Sequence, residues 1–241
     1  MKILIVNDDG YKCKGLKTLA ETLNKKHDVI VVAPDGERSG SSHSLTFHRY
    51  LKIREIAYYD YPCTTLDGTP CDCVKYGLLN NGMDFDVVLS GINTTCNIAT
   101  DNVYSGTANA ASEAAIMGFK AIAVSADVVD DDYSYVAEFI DMNLETLMEL
   151  SHDEYFVNVN FPSSKREDIK GWEFTTCGVR RFDDYYDVSE EGSWLKGSPR
   201  PSQNPEDSDI ECIARGMISI SVLRMKYSSD KNVNKKVKLC W

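Results

Sequence analysis

The first two thirds of the chain alternate between continuous apolar runs and stretches with helical spacing. The runs Ile3–Val6 and Val29–Ala33 contain no polar position, which is typical of parallel strands covered on both faces. The stretch between them places apolar residues at i, i+3, i+4 and i+7, which predicts a helix. These helical positions are Leu16, Leu19, Ala20 and Leu23. Together they predict a strand–helix–strand unit at the start of the chain.

The same alternation continues to residue 162 and predicts the remaining core elements. Three further strands are predicted at Asp86–Leu89, Ala121–Ser125 and Tyr155–Asn160. Three further helices are predicted from a Thr69-Pro70 cap to about Leu79, from a Ser105 cap to Ile116, and from Val136 to Met148. Alternating strands and helices predict an α/β fold with a doubly wound, mainly parallel, Rossmann-like sheet.

Two regions depart from this alternation. Between residues 45 and 61, apolar and polar positions alternate with period two, which predicts a pair of antiparallel strands forming an added hairpin. The alternating positions are Leu45, Phe47, Leu51, Ile53 and Tyr58. Beyond residue 162 the pattern loosens into Trp172–Thr175, an acidic, proline-rich stretch from Asp183 to Asp209, and a last strand at Met217–Val222.

We therefore expect residues 1–162 to form an α/β core that carries the functional site. Residues 163–241 are expected to form a C-terminal extension that completes the fold and includes an extended β arm. Arms of this kind often pack on a neighbouring subunit, which predicts a homo-oligomer.

Charge and composition narrow the function classes. A net charge of −11 over 241 residues argues against binding to a nucleic acid polymer, which needs a basic surface. No apolar stretch approaches the ~20 residues that span a bilayer, and the chain begins directly with a strand, so we expect a cytoplasmic protein without membrane contacts. In a reducing compartment the eight cysteines are expected to be free thiols. The C-x-C at Cys71 and Cys73 has no matching second pair, which argues against a zinc site.

Oxygen-bearing side chains follow three successive predicted parallel strands. Asp8 and Asp9 end the first strand, Ser39 lies in the loop after the second, and Asn93 follows the third. Because parallel strands end at the same edge of a sheet, these side chains are expected to converge. Carboxylate, hydroxyl and amide oxygens suit Mg²⁺, Mn²⁺ or Ca²⁺. The alternative for Asp8 and Asp9 alone is a solvated turn at Gly10.

The helix that Ser105 caps adds an anion site. Its first residues, Gly106 and Thr107, are expected to direct backbone N–H groups and the positive helix dipole outward, so that a phosphate could bridge the cation and this helix. The alternative is a plain serine cap. A bound cation would act as a Lewis acid and lower the pKa of a bound water. Asp8 or Asp9 would then orient or deprotonate that water, and the sequence does not choose between them.

Other catalytic and binding motifs are weaker. The chain has neither a G-x-G-x-x-G after its first strand nor a P-loop lysine motif. A serine esterase using Ser41 or Ser42 with His43 is conceivable, but the chain has no G-x-S-x-G elbow. His43 is expected to be a hydrogen-bonding loop residue rather than a general base.

Two adjacent arginines, Arg180 and Arg181, have two interpretations. They could clamp a phosphate, or they could be solvated or paired with the neighbouring Asp183 and Asp184.

Taken together, these motifs resemble the survival protein E (SurE) family of metal-dependent nucleotidases. The matching segments are Asn7-Asp8-Asp9-Gly10, Ala33-Pro34-Asp35 with Glu37-Arg38-Ser39 and His43-Ser44, Gly68-Thr69-Pro70 with Asp72-Cys73-Val74, Ser90-Gly91-Ile92-Asn93 with Asn97, Tyr104-Ser105-Gly106-Thr107, Asn158-Val159-Asn160-Phe161-Pro162, and Gly216 to Ile220. The match covers most of the chain and is densest in residues 1–125.

The resemblance implies a cytoplasmic phosphohydrolase that acts on nucleoside 5′- and 3′-monophosphates and, in some members, on short polyphosphate. It implies one divalent cation per subunit, Mg²⁺ or Mn²⁺, with Ca²⁺ as a substitute in crystals, and a homodimer or homotetramer with an exchanged C-terminal segment. The implied metal ligands are Asp8, Asp9, Ser39 and Asn93, and both aspartates are implied to be catalytic. The implied phosphate and substrate contacts are Asn97, Ser105, Gly106, Thr107 and His43.

Three residues depart from the family pattern. Thr95 stands where the family usually has glycine, and it would reshape its loop if that position needed a positive φ. Asn109 and Ala114 replace residues that are usually smaller or glycine. These departures leave open an alternative function, a non-catalytic nucleotide-binding stress-response module on the same fold.

Overall fold

A twisted mixed sheet forms the centre of the protein. The structure, a computed structural model, describes residues 1–57, 59–152 and 154–225. Among these residues the strands are β1 (Lys2–Val6), β2 (Asp28–Pro34), β3 (Ile53–Glu55), β4 (Cys63–Leu66), β5 (Val87–Asn93), β6 (Ala121–Ala126), β7 (Phe156–Phe161), β8 (Gly171–Phe174), β9 (Phe182–Ser189), β10 (Gly192–Pro199) and β11 (Met217–Leu223). Nine of these described strands form one sheet in the order β3-β4-β2-β1-β5-β6-β7-β11-β8.

The central part of this sheet is parallel. Strands β4, β2, β1, β5, β6 and β7 pair in parallel, whereas β3 and β11 run antiparallel to their neighbours β4 and β7. The prediction of a doubly wound, mainly parallel sheet is confirmed. Strand β4 was not predicted, because its four residues include two threonines and lack a clear apolar pattern.

Helices cover both faces of the sheet. They are α1 (Lys14–Leu23), α2 (Pro70–Asn80), α3 (Gly106–Ile116), α4 (Ser134–Leu150) and the short α5 (Asp209–Ala214). The apolar faces of α1 and α4, including Leu19 and Ile140, join one buried cluster, and those of α2 and α3, including Leu78 and Ala111, join the other. Burial of each such leucine or isoleucine stabilises the fold by about 1.5–3 kcal/mol.

Two predicted helix starts have the expected caps. Thr69 accepts the N–H of Asp72, and the Asp72 carboxylate accepts the N–H of Thr69, which completes a capping box before α2. The Ser105 hydroxyl accepts the N–H of Ala108 at 3.0 Å at the start of α3. Such caps contribute about 1 kcal/mol each and fix where each helix begins.

The predicted strand pair within residues 45–61 is wrong. Among the described residues of this range only β3 is a strand, and its antiparallel partner β4 begins beyond the range, at Cys63. The first part of the range is a loop because the Asp72 carboxylate accepts both the N–H and the hydroxyl of Thr46, at 3.0 and 2.7 Å. Phe47 lies in this loop with its side chain exposed. Tyr58, one of the alternating positions, lies outside the described residues.

Residues after 162 contribute to the same sheet and also extend away from it. β8 and β11 add to the main sheet, whereas β9 and β10 form a separate two-stranded hairpin in which every residue is exposed. The predicted C-terminal β arm is confirmed by this hairpin, but its strand bounds were not predicted, because Asp183-Asp184 and Tyr185-Tyr186 are adjacent pairs that interrupt a period-two pattern. The predicted boundary at residue 162 remains a prediction, and residues 226–241 of the extension lie outside the described residues.

The predictions about membrane spans and cysteines can be compared with the described residues. None of the helices described there is long and apolar enough to cross a membrane. The described cysteines are free thiols, and Cys240 lies outside the described residues.

Candidate active site

The loops after β1, β2 and β5 meet at the carboxyl edge of the sheet. β1 lies between β2 and β5, so the order of the parallel strands reverses beside it, which is where α/β sheets open a binding crevice. Backbone hydrogen bonds join the first two loops, from Arg38 N–H to the Asp8 carbonyl at 2.7 Å and from Tyr11 N–H to the Pro34 carbonyl at 3.0 Å. The predicted convergence of these strand ends is therefore a feature of the fold.

The turn after β1 is held by Asn7. Its fully buried amide donates to the Gly10 carbonyl at 3.1 Å and accepts the Gly10 N–H at 3.2 Å. Gly10 has φ of +96°, and a Cβ there would lie 3.1 Å from the backbone of Gly36. Both constraints require glycine. The closed turn fixes the directions of Asp8 and Asp9.

The two carboxylates share a poorly solvated environment. Asp8 is 5% exposed, and its Oδ1 accepts the Thr107 hydroxyl at 2.6 Å. Burial raises the pKa of Asp8, and the hydrogen bonds from Thr107 partly offset that rise. Burial and then the charge of Asp8 raise the pKa of Asp9 to about 6. A cation beside this pair would offset the cost of holding two adjacent negative charges.

Neutral oxygen donors complete the arrangement. The Asn93 amide is 9% exposed and its nitrogen donates to the Thr95 carbonyl at 2.7 Å, so its oxygen is the atom that it can offer a cation. The Ser39 hydroxyl donates to Glu37 Oε1 at 2.8 Å and keeps oxygen lone pairs. The donor set of two carboxylates, one amide and one hydroxyl fits a hard divalent cation. The described residues include no group of three His, Cys, Asp or Glu side chains that could hold a metal, and this donor set contains only two such side chains.

One cavity of about 370 Å³ unites most of the predicted site residues. It contains all four predicted metal ligands and the predicted substrate contacts Asn97 and Ser105. Its lining residues are Asp8, Asp9, Glu37, Ser39, Gly40, Asn93, Thr94, Thr95, Asn97, Asp101, Tyr104, Ser105 and Phe182. A cation and a phosphate could therefore occupy the same space.

Gly106 and Thr107 lie beside the carboxylates and support them. A Cβ on Gly106 would lie 2.7 Å from the Asp8 Cβ and 2.8 Å from its Oδ2, so this position needs glycine for the close approach of α3. The Thr107 hydroxyl donates its hydrogen bond to the Asp8 carboxylate. Neither residue is among those that line the cavity. The sequence indicated a phosphate contact at both positions and did not reveal this support of Asp8.

His43 lies elsewhere. It lines a different cavity of about 810 Å³, and its Nε2 lies 2.6 Å from Glu113 Oε2. Glu113 is 4% exposed and also pairs with Lys75, and the hydrogen bond with His43 is the main reason why its pKa is lowered. The Ser41 hydroxyl makes no hydrogen bond within the described part of the chain. The structure therefore gives no Ser–His pair for the esterase hypothesis.

The residues that depart from the family pattern fit their surroundings. Thr95 does not adopt a positive φ, so its side chain causes no backbone strain. The Asn109 amide donates to the carbonyls of Asn102, Val103 and Ser105, at 3.0, 3.2 and 2.8 Å. Asn109 thus braces the turn that leads into α3. Ala114 is fully buried in the core.

Arg180 and, at the start of β9, Phe182 both reach the site, and only Arg180 was singled out from the sequence. Arg180 forms an ion pair with Asp101, which lines the cavity, so the salt-bridged interpretation describes this arginine, although its partner is not Asp183 or Asp184. Phe182, two residues later, lines the cavity itself. No local motif marks Phe182, since it reaches the site only through the long excursion after β8.

Comparisons with known proteins show the family to which the chain belongs. Residues 3–184 match the model of a family described as survival protein SurE. The chain belongs to the SurE family. A 5′-nucleotidase SurE from Clostridium botulinum (strain Eklund 17B / Type B) is 35% identical, with 99% of each chain covered. A 5′-nucleotidase SurE from Thermoanaerobacter sp. (strain X514) is 37% identical, with 97% of this chain and 96% of the relative covered.

A solved structure extends the match to three dimensions. The crystal structure of a SurE protein from Aquifex aeolicus superposes with a TM-score of 0.81 at 32% identity, covering 98% of each chain. The family resemblance and the fold class predicted from the sequence are therefore confirmed.

Proposed function

We propose that this protein is a divalent-metal-dependent 5′-nucleotidase that hydrolyses nucleoside monophosphates to nucleoside and phosphate. The observation that carries the proposal is the convergence of Asp8, Asp9, Ser39 and Asn93 on one cavity at the strand-order reversal. SurE relatives at 35% and 37% identity carry the name 5′-nucleotidase, which supports the same substrate class. In its broader form, the proposal includes nucleoside 3′-monophosphates and short polyphosphate as further substrates.

The cation is proposed to be one Mg²⁺ or Mn²⁺ per subunit, held by these four side chains. When bound, it would supply Lewis-acid polarisation of the phosphoryl oxygen and lower the pKa of a water. The hard oxygen donors support this choice over a thiolate metal. The Thr107 hydroxyl keeps Asp8 oriented for this role.

The two aspartates are proposed to have different roles. Asp8 is the more buried and is fixed by Thr107, so it serves as a rigid ligand. Among the described residues, the Asp9 side chain receives a single long hydrogen bond, from the Cys13 thiol at 3.6 Å. It is therefore the better placed of the two to orient the attacking water and accept its proton. Ser105 accepts the Ala108 N–H with its hydroxyl oxygen, which leaves the hydroxyl proton to donate to a phosphate oxygen.

Assembly and location are further parts of the proposal. A homodimer or homotetramer with an exchanged C-terminal segment would cover the β9–β10 hairpin, whose large side chains, such as Tyr186 and Trp194, are exposed. A two-stranded hairpin is marginally stable by itself, which supports a partner there. Cytoplasmic residence is supported by the free thiols of the described cysteines.

Phosphate release from a panel of nucleoside monophosphates tests the proposal. We expect turnover with Mn²⁺ or Mg²⁺, loss of turnover with a chelator, and loss in Asp8→Asn. Asp84→Asn is the matched control, because Asp84 is exposed and does not line the cavity. Full activity in the chelator, or in Asp8→Asn, would contradict the proposal. Tight nucleotide binding without turnover would support the alternative of a non-catalytic binding module.

A further inference from the structure

We propose that Phe182 and Tyr104 form the nucleobase subsite of this enzyme. In this arrangement an aromatic base stacks on the two side chains while its phosphate lies at the carboxylates. The inference rests on the proposed nucleotidase function and adds to it a residue-level basis for substrate choice.

Both residues line the cavity that holds Asp8 and Asp9. Tyr104 is 65% exposed and Phe182 is 36% exposed, so each offers aromatic surface to a ligand. The rest of the lining consists mainly of carboxylates, hydroxyls, amides and glycine. An apolar planar ligand group would therefore find its complementary surface at these two positions.

Phe182 has a firm support. The guanidinium of Arg180 lies over its ring, 5.7 Å from the centroid. Arg180 itself is held by an ion pair with Asp101 and by a backbone hydrogen bond to the Thr100 hydroxyl at 3.2 Å. A ring held in this way loses little side-chain freedom when a base stacks on it, which favours binding.

Tyr104 is placed by its backbone. Its N–H donates to the Asp101 carbonyl at 2.9 Å, and its carbonyl accepts the Ser42 N–H at 3.1 Å. Tyr104 also directly precedes Ser105, the cap of α3 and a proposed phosphate contact. One short segment therefore connects the proposed base contact to the proposed phosphate contact. Asp101 therefore helps to hold both residues: its carboxylate pairs with Arg180, which lies over the Phe182 ring, and its carbonyl accepts the Tyr104 N–H.

Stacking on aromatic side chains tolerates every base, because each base has a π face. The subsite therefore predicts a nucleotidase with a broad base range and a preference for purines, which offer more stacking surface. It also predicts that a phosphomonoester without a base gains nothing from these rings. Selectivity for nucleotides over sugar phosphates would then reside largely in Phe182 and Tyr104.

The experiment compares kcat/KM for AMP and for ribose 5-phosphate with Mn²⁺ present. In Phe182→Ala and Tyr104→Ala we expect a loss of about 5- to 150-fold for AMP, which corresponds to the stacking energy of one base on an aromatic side chain. Ribose 5-phosphate turnover should stay at the wild-type level, and Phe182→Trp should retain AMP turnover. Tyr50→Ala is the matched control, because Tyr50 is an almost fully exposed aromatic residue outside this cavity.

Calorimetric binding of adenosine, which lacks a phosphate, gives a second readout that does not depend on turnover. Weaker adenosine binding in both alanine variants, but not in Tyr50→Ala, would support the subsite. Equal losses for AMP and ribose 5-phosphate, or unchanged adenosine binding, would overturn it. Absence of wild-type AMP turnover would instead contradict the proposed function, and the adenosine titration would still decide the subsite.

Discussion

Replacing Thr107 with valine tests how the carboxylate pair is held. The side chain is fully buried, and its hydroxyl donates to Asp8 Oδ1 at 2.6 Å. Thr107→Val keeps nearly the same shape and removes only this donor. The change should raise the pKa of Asp8 further, because this hydrogen bond is the largest influence opposing the effect of burial. We therefore expect weaker cation binding near neutral pH.

The magnitude follows from the type of hydrogen bond. A hydrogen bond to a charged group contributes about 1.5–3 kcal/mol, which corresponds to about 10- to 150-fold in an equilibrium constant. Removal of a hydrogen-bond partner from a metal ligand typically costs about 10- to 100-fold in metal affinity. The two ranges overlap, so we expect Mn²⁺ affinity to fall by about 10- to 100-fold in Thr107→Val.

Calorimetric titration of Mn²⁺ into each variant measures this loss. Thr107→Ser is the matched control, because it restores the hydroxyl and should recover most of the affinity. Thermal unfolding of the metal-free variants checks that the fold is kept. Wild-type Mn²⁺ affinity in a folded Thr107→Val protein would refute the assigned role of Thr107.

Three further predictions concern nearby positions. In Gly106→Ala the new Cβ would lie 2.7 Å from the Asp8 Cβ, so we expect a lower Tm, a stability loss of about 1–3 kcal/mol and weaker Mn²⁺ binding. A wild-type Tm together with wild-type Mn²⁺ affinity would refute this packing argument. The hydrogen bond with His43 lowers the pKa of Glu113 in the folded protein. The Glu113 carboxylate therefore stabilises the fold at pH values above its unfolded pKa of about 4.3. This stabilisation is lost as the pH falls through the lower folded pKa. Urea unfolding from pH 6 to 3 should therefore show a shallower acid loss in Glu113→Gln, and parallel curves would contradict this. Thr95→Gly should cost about 0.4–1 kcal/mol in urea unfolding and leave Mn²⁺ affinity unchanged, since Thr95 has no positive φ to relieve; a gain in stability would contradict it.

Local patterns predicted those parts of the fold that depend on neighbouring residues. The caps at Thr69 and Ser105 involve hydrogen bonds three residues apart, and they could be predicted from residue type and spacing. The grouping of Asp8, Asp9 and Asn93 followed from one topological rule, that parallel strands end at the same edge. The structure places these three side chains in one cavity.

Contacts that depend on distant packing could not be predicted in this way. Thr107 meets Asp8 across 99 positions, and His43 meets Glu113 across 70. No spacing rule distinguishes these hydroxyl and imidazole groups from other polar side chains. Phe182 reaches the cavity only because of the chain path between β8 and β9. Threonine, histidine and phenylalanine therefore acquire their proposed roles from tertiary structure.

The most direct test of the cation site is anomalous diffraction from crystals soaked with Mn²⁺. We expect one anomalous peak per subunit between Asp8, Asp9, Ser39 and Asn93, with metal–oxygen distances of about 2.1 Å, close to those of Mg²⁺ sites. Crystals of Asp8→Asn should show no peak at this position. A fully occupied Mn²⁺ elsewhere in an active enzyme, with none at these four side chains, would contradict the account.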